Sequence, residues 1–107
     1  MGWAVKLLAI LDIDAVHWKV VEGKPSKKKN MAETDFETNT ITIQPDLPLD
    51  RYMVSVWHEI THVIIAQRLG MTLLGEDMDE AVAAAMGQGL HQLIENNHHV
   101  YRMEEWR

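Results

Sequence analysis

The chain has 107 residues, which suits one compact domain and leaves no room for a separate regulatory module. A hydrophobic share of 47% supports a packed core, and a cysteine count of 0 excludes disulfides and thiolate metal sites, so any metal must rest on His, Asp or Glu. A formal charge of −6 argues against a phosphate-backbone binder.

From the N-terminus, Trp3 to Leu11 is apolar apart from Lys6. Asp12 and Asp14 stop that run far short of a membrane span, and no small-residue cleavage site follows it. Gly2 is not followed by the Ser or Thr of a myristoylation signal. The expectation is therefore a cytoplasmic protein without a membrane partner. Residues 3–11 fit a short helix or a buried strand, and periodicity does not separate the two. His17 to Val21 alternates as a strand and ends at Gly23–Asn30, where Lys24, Lys27, Lys28 and Lys29 lie among Pro25 and Ser26. That composition reads as a solvated loop before it reads as a nucleic-acid contact.

Met31–Phe36 and Asn39–Gln44 form the arms of an expected hairpin turning at Glu37-Thr38-Asn39. Pro45 and Pro48 end the sheet pattern. A helix is predicted from Leu49 to Leu69 with Gly70 as its stop, and its apolar residues surround the wheel, as in a buried helix. A second helix is predicted from Met78 to Glu95, capped by Asp77 and ending near Asn96-Asn97. Its apolar stripe is Val82, Ala83, Met86, Leu90, Leu93 and Ile94. No repeat is visible. The order describes an α+β fold, a small antiparallel sheet followed by two packed helices.

Chemistry concentrates in His58-Glu59-Ile60-Thr61-His62. Residues four apart on a helix point about 40° from each other, so both imidazoles can reach one metal ion. Glu59, roughly 100° round, is out of line as a ligand but can take a proton from a metal-bound water. The competing reading is a pair of hydrogen-bonded core histidines beside a surface glutamate.

A catalytic zinc needs a third protein ligand and an open position. The carboxylates Glu76, Asp77, Asp79 and Glu80 open the second helix. Glu80 is the chosen ligand, because it lies at the edge of the apolar stripe in line with Ala84 and Gly87, small residues that allow a close helix approach. Asp79 is the reserve. Glu80 also has capping-box spacing to Asp77, which would turn it back onto the backbone. His91 shares the face of Glu80 but lies three turns on, about 16 Å along the axis, and reads as a core-edge histidine. His98 and His99 read as a solvated tail, and the methionines and tryptophans as core filling.

His58-Glu59-Ile60-Thr61-His62 with Glu80 inside Asp79-Glu80-Ala81-Val82-Ala83-Ala84-Ala85 resembles the gluzincin pattern of zinc metallopeptidases. The short length and the hairpin ahead of the motif helix are similar to the minimal members called minigluzincins. They also resemble small predicted zinc peptidases of phages and prophages, over roughly residues 16–97. The resemblance implies that His58, His62 and Glu80 hold zinc, that Glu59 is the general base, and that a peptide or protein substrate binds along a sheet edge. Two departures accompany it. Position 84 is alanine where an Asp often orients a ligand histidine, and no Tyr or His can be assigned to the transition state. Minimal gluzincins are thought of as latent forms, and Trp106 in the last residues could dock over a cleft. The alternative function is a metal-stabilised or degenerate peptidase fold acting as a binding module.

Overall fold

The computed structural model describes residues 6–26 and 30–97. Four strands precede two helices: β1 (Lys6–Ile13), β2 (Val16–Glu22), β3 (Ala32–Asp35), β4 (Thr40–Ile43), α1 (Leu49–Leu69) and α2 (Glu76–Asn96). The α+β class and the packed helix pair are as expected. His98, His99, Trp106 and Lys27 to Lys29 fall outside the described residues.

The sheet is mixed, with strand order β1-β2-β4-β3. β1 pairs antiparallel with β2, and β3 with β4, but β2 and β4 run parallel from Lys19↔Thr40 to Glu22↔Ile43. The expected wholly antiparallel sheet does not form, because β4 and not β3 lies beside β2 and runs in the same direction. Here the segment between β2 and β3 carries the chain past a neighbour's width, and β4 inserts between them. Ser26 anchors that segment, its backbone N–H and hydroxyl both donating to the Glu33 carboxylate at 2.9 and 2.6 Å.

Residues 3–11 resolve toward a strand from Lys6 onward. The β1–β2 turn consists of Asp14 and Ala15, both left-handed at φ 51° and 65°. Arg68 at the end of α1 clamps this turn, donating from Nε to Asp14 Oδ2 at 3.0 Å and from Nη2 to Oδ1 at 2.6 Å. The β3–β4 turn falls where the sequence placed it. Asp35 Oδ1 accepts the Glu37 N–H at 2.9 Å, and Asn39 takes φ 51°.

The core lies between the sheet and α1. Trp18 and Val20 of β2, Ile41 and Ile43 of β4 and Val63 of α1 are its buried centre. Alternate residues of each strand supply it, as a sheet covered on one face requires. Trp18 meets Phe36 edge-to-face at 5.5 Å. Its Nε1–H donates to Gln67 Oε1 at 2.8 Å, and Gln67 Nε2 donates to the Ile13 carbonyl at 2.8 Å, so the indole is buried with its donor satisfied.

α1 is not enclosed all round. Glu59, Thr61, Val63 and Ile65 are buried, whereas Leu49, Ile64 and Leu69 are exposed. One sheet face and one neighbouring helix cannot surround it. α2 begins at Glu76 with Gly75, not Asp77, at its N-cap, and no side chain caps it. Its buried residues are Ala83 and Gly87; Ala84, Met86 and Leu93 lie outward. Met31, Met71, Met78 and Met86 are exposed, so core filling does not describe them.

Ala15 holds a positive φ that costs an L-residue about 1–2 kcal/mol and glycine almost nothing. Ala15→Gly is expected to raise the unfolding free energy by about 0.5–1 kcal/mol, after the extra freedom of the unfolded glycine is deducted. Urea denaturation at unchanged slope measures it; an equal or lower midpoint would contradict a left-handed Ala15.

Candidate metal centre

The helices run antiparallel: His62 meets Asp79, His58 meets Gly87, and Asp50 meets His91. The approach at Gly87 is very close. A Cβ there would stand 2.9 Å from the Val54 carbonyl oxygen and 3.1 Å from the His58 backbone nitrogen. Glycine at this point lets α2 settle against the turn of α1 that carries His58, and the first turn of α2 is thereby brought over both histidines.

His58, Glu59 and His62 line a cleft of about 890 Å³, walled by β3 on one side and by the start of α2 on the other. The two imidazoles lie 4.9 Å apart between ring centres. His58 Nε2 stands 2.8 Å from Glu80 Oε1, and His62 Nε2 stands 3.0 Å from Glu80 Oε2, so one carboxylate spans both rings. Glu80 therefore takes the inter-helix role, not the capping role.

Asp79 is also used. Its Oδ1 lies 2.6 Å from His62 Nδ1, where the ring N–H donates to it. This is the histidine-orienting Asp that the sequence left unassigned. It sits directly before Glu80 instead of four residues after it, and it holds the second histidine of the motif. With Nδ1 committed to Asp79, Nε2 is the ring nitrogen that faces Glu80. A proton on Nε2 or a metal ion shared with the carboxylate would each reconcile the two groups. Two imidazole nitrogens with carboxylate oxygens beside them, one ring fixed by a further carboxylate, are donors of the kind that hold a divalent metal ion.

Glu59 lies nearer this centre than the helical wheel suggests. Ligand atoms of His58, Glu59 and His62 all fall within 4.8 Å of one another, and the three form a group that could hold a metal ion. The 100° offset fixes the Cβ, but the flexible glutamate stem brings Oε2 to 4.0 Å from His58 Nε2. Glu80 is closer to both rings, and Glu59 Oε1 is already engaged, accepting from the Thr34 hydroxyl at 2.9 Å. Glu59 is buried, and desolvation raises its pKa above the ordinary carboxylate value. The Thr34 hydrogen bond, His62 and His58 oppose that shift, and Glu80 adds to it.

Thr34 was not singled out by sequence reasoning. Its signal is its strand position: it pairs with Ile41, a core residue, and so lies on the face turned toward α1. His91 is not part of this centre. It lies 3.1 Å from Asp50 Oδ1, in a separate hollow of about 550 Å³.

No protein-family model matches this sequence, and comparison with curated proteins and with solved structures gives no match. The site is therefore argued from its own residues. No helix among the described residues is long and apolar enough to cross a membrane.

The two glycines of α2 give opposite expectations. Gly87→Ala forces the helices apart at a backbone contact and is expected to cost about 1–3 kcal/mol. Gly89→Ala meets nothing within 4 Å and gains helix propensity, so it is expected to stabilise by about 1 kcal/mol. Denaturant midpoints of the two variants check this, and similar shifts would contradict the close approach.

Proposed function

We propose that this chain is a zinc-dependent metallopeptidase of gluzincin type, with His58, His62 and Glu80 as metal ligands and Glu59 as general base. The observation that carries the reading is the convergence of both histidine Nε2 atoms on one Glu80 carboxylate, at 2.8 and 3.0 Å, beside the buried Glu59. Hydrogen-bonded core histidines account for the first half of that arrangement. They give no reason for a second carboxylate, desolvated and held by Thr34, to stand at the cleft wall.

Bound at these residues, zinc supplies Lewis acidity toward a peptide carbonyl and eases the deprotonation of water. The chain's own groups do the rest. Asp79 holds the His62 ring so that Nε2 faces the cleft. Thr34 occupies Glu59 Oε1 and leaves Oε2 to accept a proton as a water oxygen attacks the peptide carbonyl carbon. The same carboxyl then delivers that proton to the amine nitrogen as the C–N bond breaks. Burial favours this cycle, because a carboxylate with a raised pKa is a stronger base. β3 is the sheet's outer strand beside the cleft, so an extended peptide is the substrate shape this reading expects. A cytoplasmic location belongs to the same proposal.

The alternative, a metal-stabilised binding module, has no use for Glu59 as a base. Wild type is expected to bind one zinc per chain and to melt higher with zinc present. His58→Ala with His62→Ala should abolish both effects, and unchanged binding would refute the site. Glu80→Ala is expected to lower zinc affinity further than Asp79→Ala, whose loss should be about 10–100-fold. Asp77→Ala should leave affinity unaltered, and calorimetric titration ranks the three.

Glu59→Gln is expected to keep zinc while slowing chelator-sensitive cleavage of an extended peptide by about 10²–10⁴-fold. Cleavage at the wild-type rate would remove Glu59 from the mechanism. A wild type that binds zinc yet cleaves none of a broad peptide library would favour the binding module.

A further inference from the structure

The other edge of the sheet is β1, paired on one side with β2. Its two ends differ. Near Ile13 the strand is held by Gln67 and, through Asp14, by Arg68. From Lys6 to Ile10 every residue is exposed, including Leu7 at 54%, Leu8 at 39% and Ile10 at 62%. A strand of 8 residues with an apolar middle, whose outer side pairs with no strand among the described residues, is a template for another strand.

The sequence of that edge says which strand. Lys6-Leu7-Leu8-Ala9-Ile10-Leu11-Asp12 is complementary to itself when two copies run antiparallel about Ala9. Lys6 then faces Asp12, Leu7 faces Leu11, Leu8 faces Ile10, and Ala9 faces Ala9. Moving the centre to Leu8 sets Lys6 against Ile10, and moving it to Ile10 sets Asp12 against Leu8. Only the Ala9 centre matches both the charges and the apolar residues.

We infer that β1 is a homodimer edge, on which two copies of this chain join antiparallel about a twofold axis at Ala9 and extend one sheet across both protomers. The contact is isologous and closed, so it stops at two. The β1–β2 ladder shifts register between Leu7 and Ala9. Such an irregularity often blunts an edge, but here it falls at Leu8, one residue from the twofold axis, so the two copies carry it symmetrically on either side of Ala9. Pairing through one strand falls short of the about 1,000 Å² of a strong specific interface, so dissociation belongs in about the micromolar to millimolar range. The metal centre lies beside the opposite edge strand, β3, and the cleft stays open in the dimer.

Sedimentation of the full chain from about 10 µM to about 1 mM tests this, with circular dichroism confirming that each variant folds. Wild type is expected to shift from monomer to dimer with concentration. Ile10→Lys and Asp12→Lys should each weaken the dimer at least about tenfold, and Lys6→Asp combined with Asp12→Lys should restore it. The natural chain has no cysteine. Ala9→Cys, on the axis, should therefore oxidise to a covalent dimer much faster than Lys6→Cys. A monomer at every concentration would overturn the inference. So would a dimer indifferent to Ile10→Lys and Asp12→Lys, or equal cross-linking at positions 6 and 9.

Discussion

Everything at the candidate metal centre depends on how closely α2 can approach α1. The two helices meet backbone to backbone at Gly87, and that contact fixes the register of the whole pair. Two turns back along α2 from Gly87, the chain passes over His58 and His62, and Asp79 and Glu80 arrive at hydrogen-bonding distance from both rings. A larger residue at 87 would force the helices to shift, because its Cβ would stand 2.9 Å from the Val54 carbonyl oxygen. The centre is thus held by steric fit on one side and by charge on the other.

The remaining wall comes from the sheet. β4 is clamped between β2 and β3, and its isoleucines are fully buried. That fixes β3 against α1 and places the Thr34 hydroxyl on Glu59. The buried carboxylate therefore has a rigid partner, and its raised pKa arises from lost solvation more than from its neighbours. The polar groups of the site come from three separate elements, each positioned by the apolar core below it.

The helices were largely legible in the sequence because their signals are local. Pro48 and Gly70 bound α1 to the residue, and the spacing of His58 and His62 needs only helical geometry. Glu80 could be chosen because small residues follow it at one-turn intervals. Other features depend on tertiary arrangement. Asp14-Ala15 lacks the glycine that advertises a tight hairpin, and Arg68, distant in sequence, helps to hold it. The parallel pairing of β2 with β4 is a choice of neighbour that strand patterns do not encode. Asp79 stood in reserve as a ligand and not as the partner of His62 Nδ1, because the resemblance directed attention to position 84 for that role. The wheel also overstated the enclosure of α1, since a wheel records which residues are apolar and not how many partners exist to cover them.

The β2–β4 seam has a kinetic meaning. Each hairpin closes over a short loop, an event of about 1–10 µs, and neither contains a complete core. Trp18 and Val20 belong to one hairpin, Ile41 and Ile43 to the other, and within the sheet the parallel seam unites them. We expect the docking of two preformed hairpins to limit folding, with Val20 and Ile41 substitutions slowing refolding and Asn39 substitutions chiefly speeding unfolding. Chevron analysis of the three positions would expose the opposite order, in which the helices assemble first and the sheet condenses upon them.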